Sequence, residues 1–164
     1  MIFVCVGSRP YQFNRLFEEL DRLVGTGRVK EPLFAQIGAS TYEPKNFAFE
    51  CFMDPDAFKA KMAEADIVIS HGASGSIMGA LNAGKRVIAV SRLAKYGEHI
   101  NDHQVGINET LASEGLVLTV REMDELGDAI EAIESGSVKL KRWENPNPNA
   151  IIDEIDLFIQ EEVL

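Results

Sequence analysis

Two rhythms of apolar and polar positions take turns along the chain. Residues 1–6, Met-Ile-Phe-Val-Cys-Val, form an unbroken apolar run that stops at the turn cluster Gly7-Ser8-Arg9-Pro10. Such a run, with β-branched and aromatic members, predicts a buried strand. Apolar residues then recur at Phe13, Leu16, Phe17, Leu20, Leu23 and Val24, just before Gly25 and Gly27. Those spacings lie on one face of a helix that the glycines close. Short apolar runs follow at 33–37 and 47–52, separated by a Ser/Thr/Pro/Asn loop. Asp54-Pro55 couples a capping side chain to a proline at the first helical position, and the helix it starts carries Phe58 and Met62 to near Asp66.

The alternation continues to the end. Ile67-Val68-Ile69 predicts a strand leading into Ser70-His71-Gly72-Ala73-Ser74-Gly75-Ser76 and a small-residue helix ending at Gly84. Val87–Val90 and Leu116–Val120 predict two more strands, with a polar loop over 91–101 and a helix over 102–114 between them. Further helices fit 122–134 and 148–163, the latter started by Asn147-Pro148 after the connector Asn145-Pro146-Asn147-Pro148-Asn149. Strands that are continuous apolar runs, each followed by a helix, predict a parallel sheet covered on both faces. The expected fold is therefore α/β, a Rossmann-like doubly wound parallel sheet. It forms one domain over 1–164, with 149–164 as a closing helix.

Composition narrows the partners. Sixteen basic against 26 acidic residues leave a net charge of −10, which argues against a general nucleic-acid binder and against adhesion to anionic lipid by overall charge. Two cysteines, Cys5 and Cys51, form no CxxC pattern and no disulfide framework, so a reducing cytoplasm is the expected setting. No apolar run of about 18 residues is present to span a bilayer.

In an open parallel sheet the ligand lies beyond the carboxyl ends of the strands, where strand order reverses. Gly7-Ser8 follows the first strand there, and Gly72, Ser74, Gly75 and Ser76 open a helix after the Ile67–Ile69 strand. Small residues let backbone N–H groups approach a ligand, and a helix N-terminus favours an anion such as a diphosphate. The same spacing also fits a tight strand-to-helix turn that needs glycine. It is neither a Walker A loop, since Lys85 comes after the helix, nor GxGxxG. The segment Tyr96–Gln104 fits either a solvated loop with Asp102 as helix cap or part of a site. His99 and His103 lie four apart, but Glu98 precedes them, so they lack the HExxH arrangement and no metal site is expected. Arg92 and Lys95 fit either a solvated surface or an offset for phosphate charge.

Several segments occur together in order: Val6-Gly7-Ser8, Gln36-Ile37-Gly38, Ala65–Gly72, Gly75-Ser76, Gly84-Lys85 and Glu98-His99-Ile100-Asn101-Asp102-His103-Gln104. Together they resemble the C-terminal domain of glycosyltransferase family 28. The likeness is greatest to its small stand-alone members, the PssE- and EpsE-like subunits of bacterial exopolysaccharide synthesis and the catalytic subunit of the two-part UDP-N-acetylglucosamine transferase of N-glycan assembly.

The resemblance implies one half of a GT-B glycosyltransferase, a cytoplasmic inverting hexosyltransferase that takes its donor from a UDP-sugar and needs no cofactor or metal. It implies a lipid-linked saccharide acceptor and a membrane-attached partner similar to PssD or EpsD, through which the chain is peripheral to the membrane. By position, Gly72, Ser74, Gly75 and Ser76 would cradle the diphosphate, and Asp102, His103 and Gln104 would lie near the donor sugar. Gly7 and Ser8 would floor the cleft, and His71 would be a further polar contact or a satisfied histidine at a strand end. No general base is identified. Where many relatives place a ribose-gripping glutamate, this chain reads Ile77-Met78-Gly79-Ala80. The alternative is a non-catalytic nucleotide-sugar-binding module that regulates a partner transferase.

Overall fold

The computed structural model describes residues 1–144; the helix expected over 148–163 lies outside them. Six parallel strands are β1 (Ile2–Cys5), β2 (Leu33–Gln36), β3 (Ala48–Glu50), β4 (Ile67–Ser70), β5 (Arg86–Val90) and β6 (Leu118–Val120), and they lie in the order β3-β2-β1-β4-β5-β6. The helices of the described residues are α1 (Asn14–Gly25), α2 (Pro55–Glu64), α3 (Ser74–Asn82), α4 (His103–Ser113) and α5 (Leu126–Glu134). The chain steps outward from β1 through β2 to β3, then returns to place β4 on the other side of β1. That reversal puts a crevice at the carboxyl ends of β1 and β4.

Alternate residues of each strand serve opposite faces. Ile2, Val4, Ile67, Ile69, Ile88 and Val90 join Leu16, Phe17 and Leu20 of α1 and Leu126, Ile130 and Ile133 of α5 in one core. Phe3, Cys5, Val68, Val87 and Ala89 join Met62 of α2 and Ile77, Ala80 and Leu81 of α3 in the other. Each large aliphatic or aromatic side chain so buried contributes roughly 1.5–3 kcal/mol, which fixes the strands without alternating polar positions. β2 and β3 are joined by a loop without a helix. The carboxylate of Asp21 holds it, accepting from the backbone N–H of Lys45 (3.0 Å) and Asn46 (2.8 Å) and from the Tyr42 hydroxyl (2.8 Å).

Local structure shifts three expected boundaries. α3 begins at Ser74, so the small residues are its first turn rather than a loop before it. The predicted strand at 116–120 starts only at Leu118, because the Leu116 N–H closes α4 by donating to the Leu111 carbonyl at 3.0 Å. The predicted 122–134 helix opens with a 3-10 turn at Met123–Glu125, where Glu122 and Glu125 cap each other's backbone, before α5.

Candidate functional site

At the end of β1 the backbone turns through Gly7, whose φ of +73° lies in the left-handed region that disfavours side chains. The carboxamide of Gln36, buried on neighbouring β2, holds this turn from both sides. Its Oε1 accepts from the N–H of Val6 (3.2 Å) and Gly7 (3.1 Å), and its Nε2 donates to the carbonyls of Gly7 (3.0 Å) and Cys51 (3.1 Å). One side chain thereby locks the loop after β1 to the loop after β3.

His71 closes the other side. Its Nδ1 lies 3.2 Å from the Cys5 carbonyl, and its Cε1 and Nε2 approach to 3.1 Å of where a Cβ on Gly7 would stand. Burial, with Arg92 adding like-charge repulsion, pulls the His71 pKa down to about 4. The ring is therefore neutral near pH 7. A carbonyl only accepts, so the geometry assigns the proton to Nδ1 and leaves Nε2 as an acceptor facing Gly7. His71 sits between two strand ends as a satisfied histidine.

β4 then leads through Gly72 (φ +85°) into α3. The N-cap residue, Ala73, offers no side-chain oxygen, so the first-turn N–H groups of α3 have no capping side chain. Ser74 and Gly75 are exposed, and a Cβ on Gly75 would meet nothing within 4 Å. Beneath this turn the Cys5 thiol lies beside the hydroxyls of Ser70 and Ser76, and burial pushes its pKa up to about 12. Ser76 thus faces a neutral interior, whereas Ser74 and Gly75 face outward. This end of the helix is open, positively polarised and free of acidic residues in its first turn.

The third part of the site is the start of α4. The Asp102 carboxylate does not cap its own helix; it accepts from the Ala94 N–H at 2.7 Å. Asn101 takes over, accepting from His103 N–H at 3.2 Å. Gln104 Oε1 accepts from the Arg92 N–H at 3.3 Å, while His103 is exposed. Asp102 and Gln104 thus fasten α4 to the loop after β5. Glu98 pins that loop from below: its buried carboxylate receives Arg15 Nε (2.6 Å), Arg15 Nη2 (3.0 Å) and the Leu93 N–H (2.9 Å). Arg92 is wholly buried, which overturns the solvated-surface reading. Its Nη2 donates to the Tyr11 carbonyl at 3.0 Å, and burial pulls its pKa down to about 10. Lys95 is exposed.

Three clefts open at this edge. One of about 310 Å³ is lined by Gly7, Ser8, Gln36, Phe52, Met53, Pro55 and Phe58. A second, of about 180 Å³, lies at the ends of β5 and β6 against Ser91, Leu93, Val105, Asn108 and Thr119–Glu122. The third, of about 440 Å³, lies between the start of α1 and the loops after β5 and β6, against Gln12, Arg15, Tyr96, Glu98 and Met123.

A model of the glycosyltransferase family 28 C-terminal domain matches residues 1–153. The chain belongs to glycosyltransferase family 28. It is 34% identical over 88 residues to the UDP-N-acetylglucosamine transferase subunit ALG13 of Mus musculus, and equally to that of Homo sapiens. Each match covers 51% of this chain, which spans 7% of the length of these curated relatives. Among solved structures it is similar to Acinetobacter baumannii MurG, with a TM-score of 0.60 at 16% identity, covering 93% of this chain and 48% of that one. A UDP-GlcNAc 2-epimerase from Neisseria meningitidis bound to UDP-GlcNAc gives 0.63 at 14% identity, covering 95% and 44%. Glycosyltransferases such as that of kitacinnamycin share the same architecture, at a TM-score of 0.59 and 19% identity over 84% of this chain and 36% of that one. The fold is the doubly wound, Rossmann-like half of a GT-B architecture.

In this family 28 domain the structure brings Gly7 against His71, and Gly72 against α4 through Asn108, while Ser8 lines the cleft that Phe52 and Met53 wall. Asp102 and Gln104 meet the 92–94 loop instead of Gly72. Sequence reasoning missed Gln36 as the clamp, Phe52 and Met53 as cleft walls, and Asn108, buried at 1% exposure with its Nδ2 donating to Ser91 Oγ at 2.7 Å. Phe52-Met53, apolar between a strand and the Asp54-Pro55 helix start, was the available signal.

Proposed function

We propose that this chain is the donor-binding half of a two-part, inverting hexosyltransferase. It moves a sugar from a UDP-sugar to a lipid-linked saccharide in polysaccharide synthesis. The observation that carries the reading is the uncapped start of α3 at the switch point beside Gly7. Fixed N–H donors there are placed to stabilise charge as it grows on a departing diphosphate, with no metal or cofactor required. Gly72, Ser74, Gly75 and Ser76 supply that cradle, Gly7 and Ser8 the neighbouring cleft floor, and Asp102, His103 and Gln104 the sugar side. His71 holds the first two parts together. The acceptor's proton goes to a base that the partner supplies.

A membrane-attached partner similar to PssD or EpsD, holding the chain at the cytoplasmic membrane surface, is supported by where the apolar surface lies. Among the described residues the exposed large hydrophobics are Phe52, Tyr96 and Ile100, at 55%, 46% and 74% exposure. All three lie on loops after β3 and β5, at the edge that bears the site. The curated relatives are themselves called transferase subunits. No described helix is long and apolar enough to cross a membrane.

Calorimetric titration with UDP, followed by transfer assays with the reconstituted pair and a panel of UDP-sugars, tests the proposal. Binding in the low-affinity range, transfer only with the partner present, and loss of transfer in Gln104→Ala with unchanged folding are the expected results. UDP binding without transfer under any pairing would replace this reading with a non-catalytic, regulatory nucleotide-sugar module. The missing carboxylate at 77–80, where exposed Gly79 offers nothing to a ribose, weakens nucleotide affinity in either reading and does not separate them.

A further inference from the structure

Where the chain leaves β5, the main chain of residues 91–94 is held at every residue by a different side chain. Arg15 Nη2 donates to the Ser91 carbonyl at 2.8 Å. The Arg92 N–H donates to Gln104 Oε1 (3.3 Å), the Leu93 N–H to Glu98 Oε2 (2.9 Å) and the Ala94 N–H to Asp102 Oδ1 (2.7 Å). Three of these holders belong to the Glu98–Gln104 segment. The fourth, Arg15, comes from α1, the helix that follows the Gly7 turn. Its guanidinium is fixed on all sides. It spans both Glu98 oxygens, at 2.6 and 3.0 Å, and lies 5.1 Å from the centre of the Phe13 ring and 4.9 Å from that of Tyr96. A planar fork of this kind sets direction as well as distance.

This set of contacts dictates which way the Gln104 carboxamide points. A backbone N–H only donates, so the atom that meets the Arg92 N–H is the carboxamide oxygen. Nε2 is then the free arm of half-buried Gln104, and among the described residues it donates to nothing. Its position follows that of the Arg92 N–H, which follows the hold of Glu98 on Leu93 and of Arg15 on Ser91 and Glu98. Glu98 is 1% exposed. Without the fork its carboxylate is a buried charge with no partner and must move, carrying the 91–94 backbone and the anchor of Gln104 with it. The geometry points to Arg15, acting through Glu98, as a positioning residue for the donor sugar: it holds Gln104 so that Nε2 is a fixed hydrogen-bond donor to a sugar oxygen. Arg15 thereby sets the preference for a UDP-sugar over UDP without touching either. The inference rests on the proposed placing of Gln104 on the sugar side.

A residue that acts through another loses its effect when that other is removed, and a double-mutant cycle reads this directly. The four full-length proteins are the native chain, Arg15→Lys, Gln104→Ala and Arg15→Lys/Gln104→Ala. Lysine keeps a positive charge beside Glu98 but not the fork that reaches both its oxygens and Ser91. Each is titrated calorimetrically with UDP, UDP-glucose and UDP-N-acetylglucosamine, at a temperature where circular dichroism shows all four folded. Arg15→Lys and Gln104→Ala should each weaken the UDP-sugar that the native chain prefers by roughly three- to tenfold, the worth of one neutral hydrogen bond. UDP affinity should stay within about twofold of native, and the double variant should lose no more than Gln104→Ala alone. Should Arg15→Lys fail to fold, Glu98→Gln, which breaks the fork from the other end, carries the same comparison. Native-like sugar affinity in Arg15→Lys overturns the inference alone, as does a double variant whose loss is the product of the two single losses, the result of a merely structural role. A native chain that does not bind UDP, or a Gln104→Ala that weakens UDP and UDP-sugar equally, overturns the proposed site and the inference with it.

Discussion

A side chain on Gly72 would collide with the carboxamide nitrogen of Asn108, which reaches across from α4. The glycine-rich turn and the helix after β5 are therefore one packed unit, and Gly72 serves both backbone and packing. Its φ of +85° would strain any other residue, and the collision adds to that. Gly72→Ala should cost about 3 kcal/mol, the sum of left-handed strain and overpacking, and should abolish UDP binding. Gly75→Ala separates the two contributions. Its Cβ meets nothing within 4 Å and its backbone is helical, so stability should rise by about 0.5–1 kcal/mol while UDP affinity falls, because the methyl stands where an anion would approach. Thermal melts and calorimetry on both variants check this; unchanged affinity in Gly75→Ala would place the ligand elsewhere.

Gln36 makes four hydrogen bonds to three loop and strand-end residues. Gln36→Leu keeps the bulk and removes them all, leaving N–H and carbonyl groups partly shielded from water. A loss of about 3 kcal/mol is expected, since each orphaned buried group costs roughly 1–3 kcal/mol and some will find water. Hydrogen exchange should show the 6–8 and 51–53 segments opening together. Independent exchange of the two would show that the clamp does not couple them.

Why some of this was legible and some was not follows from where each signal resides. Strands β1, β4 and β5 are buried on both faces, so apart from Ser70 and the exposed Arg86 at strand ends their residues are apolar, and a run such as Ile67-Val68-Ile69 shows it directly. Gly7 and Gly72 announced the turns because only glycine takes those φ values at no cost. Gln36, Arg92 and Asn108 did not announce themselves. Each is polar at a strand end, in a loop or on a helix, where a solvated role is the ordinary reading. Their burial depends on partners far along the chain: Arg92 on Tyr11, Asn108 on Gly72 and Ser91. Local pattern carries no record of such contacts. Asp102 was expected at the helix start and stands there, but its carboxylate serves Ala94 instead.

Arg15 and Glu98 illustrate the same point with charge. Glu98 is 1% exposed, and Arg15 engages both of its carboxylate oxygens. Arg15→Met would strand a buried carboxylate, at a cost of about 3–5 kcal/mol. Glu98→Gln, which keeps an acceptor for the Leu93 N–H, should cost less. The double variant Arg15→Met/Glu98→Gln should be more stable than Arg15→Met alone, because the uncompensated charge is gone. Urea denaturation of the three proteins decides it; strictly additive losses would mean that the pair is solvated in solution.

His71 gives the domain a pH-dependent stability whose direction is fixed by its burial. An unfolded histidine titrates near 6.5, whereas the native one is pulled down to about 4. Between those values the unfolded chain binds a proton that the native state refuses, so stability falls as pH falls. The contribution is fully present above about pH 6.5 and is lost progressively toward pH 4, reaching about 3 kcal/mol for a shift of that size. Asp21 adds a separate loss at lower pH. Burial alone would raise its carboxyl, but the N–H groups of Asn46 and Lys45 and the Tyr42 hydroxyl outweigh it and hold it below the usual carboxylate range. His71→Asn isolates the first effect, since an Asn amide keeps a donor for the Cys5 carbonyl and does not titrate. Denaturation free energies measured from pH 7.5 to 4.5 should decline steeply for the native chain and far less for His71→Asn. Parallel curves for the two proteins would show that the imidazole is open to water and that Gly7 is not packed against a neutral ring.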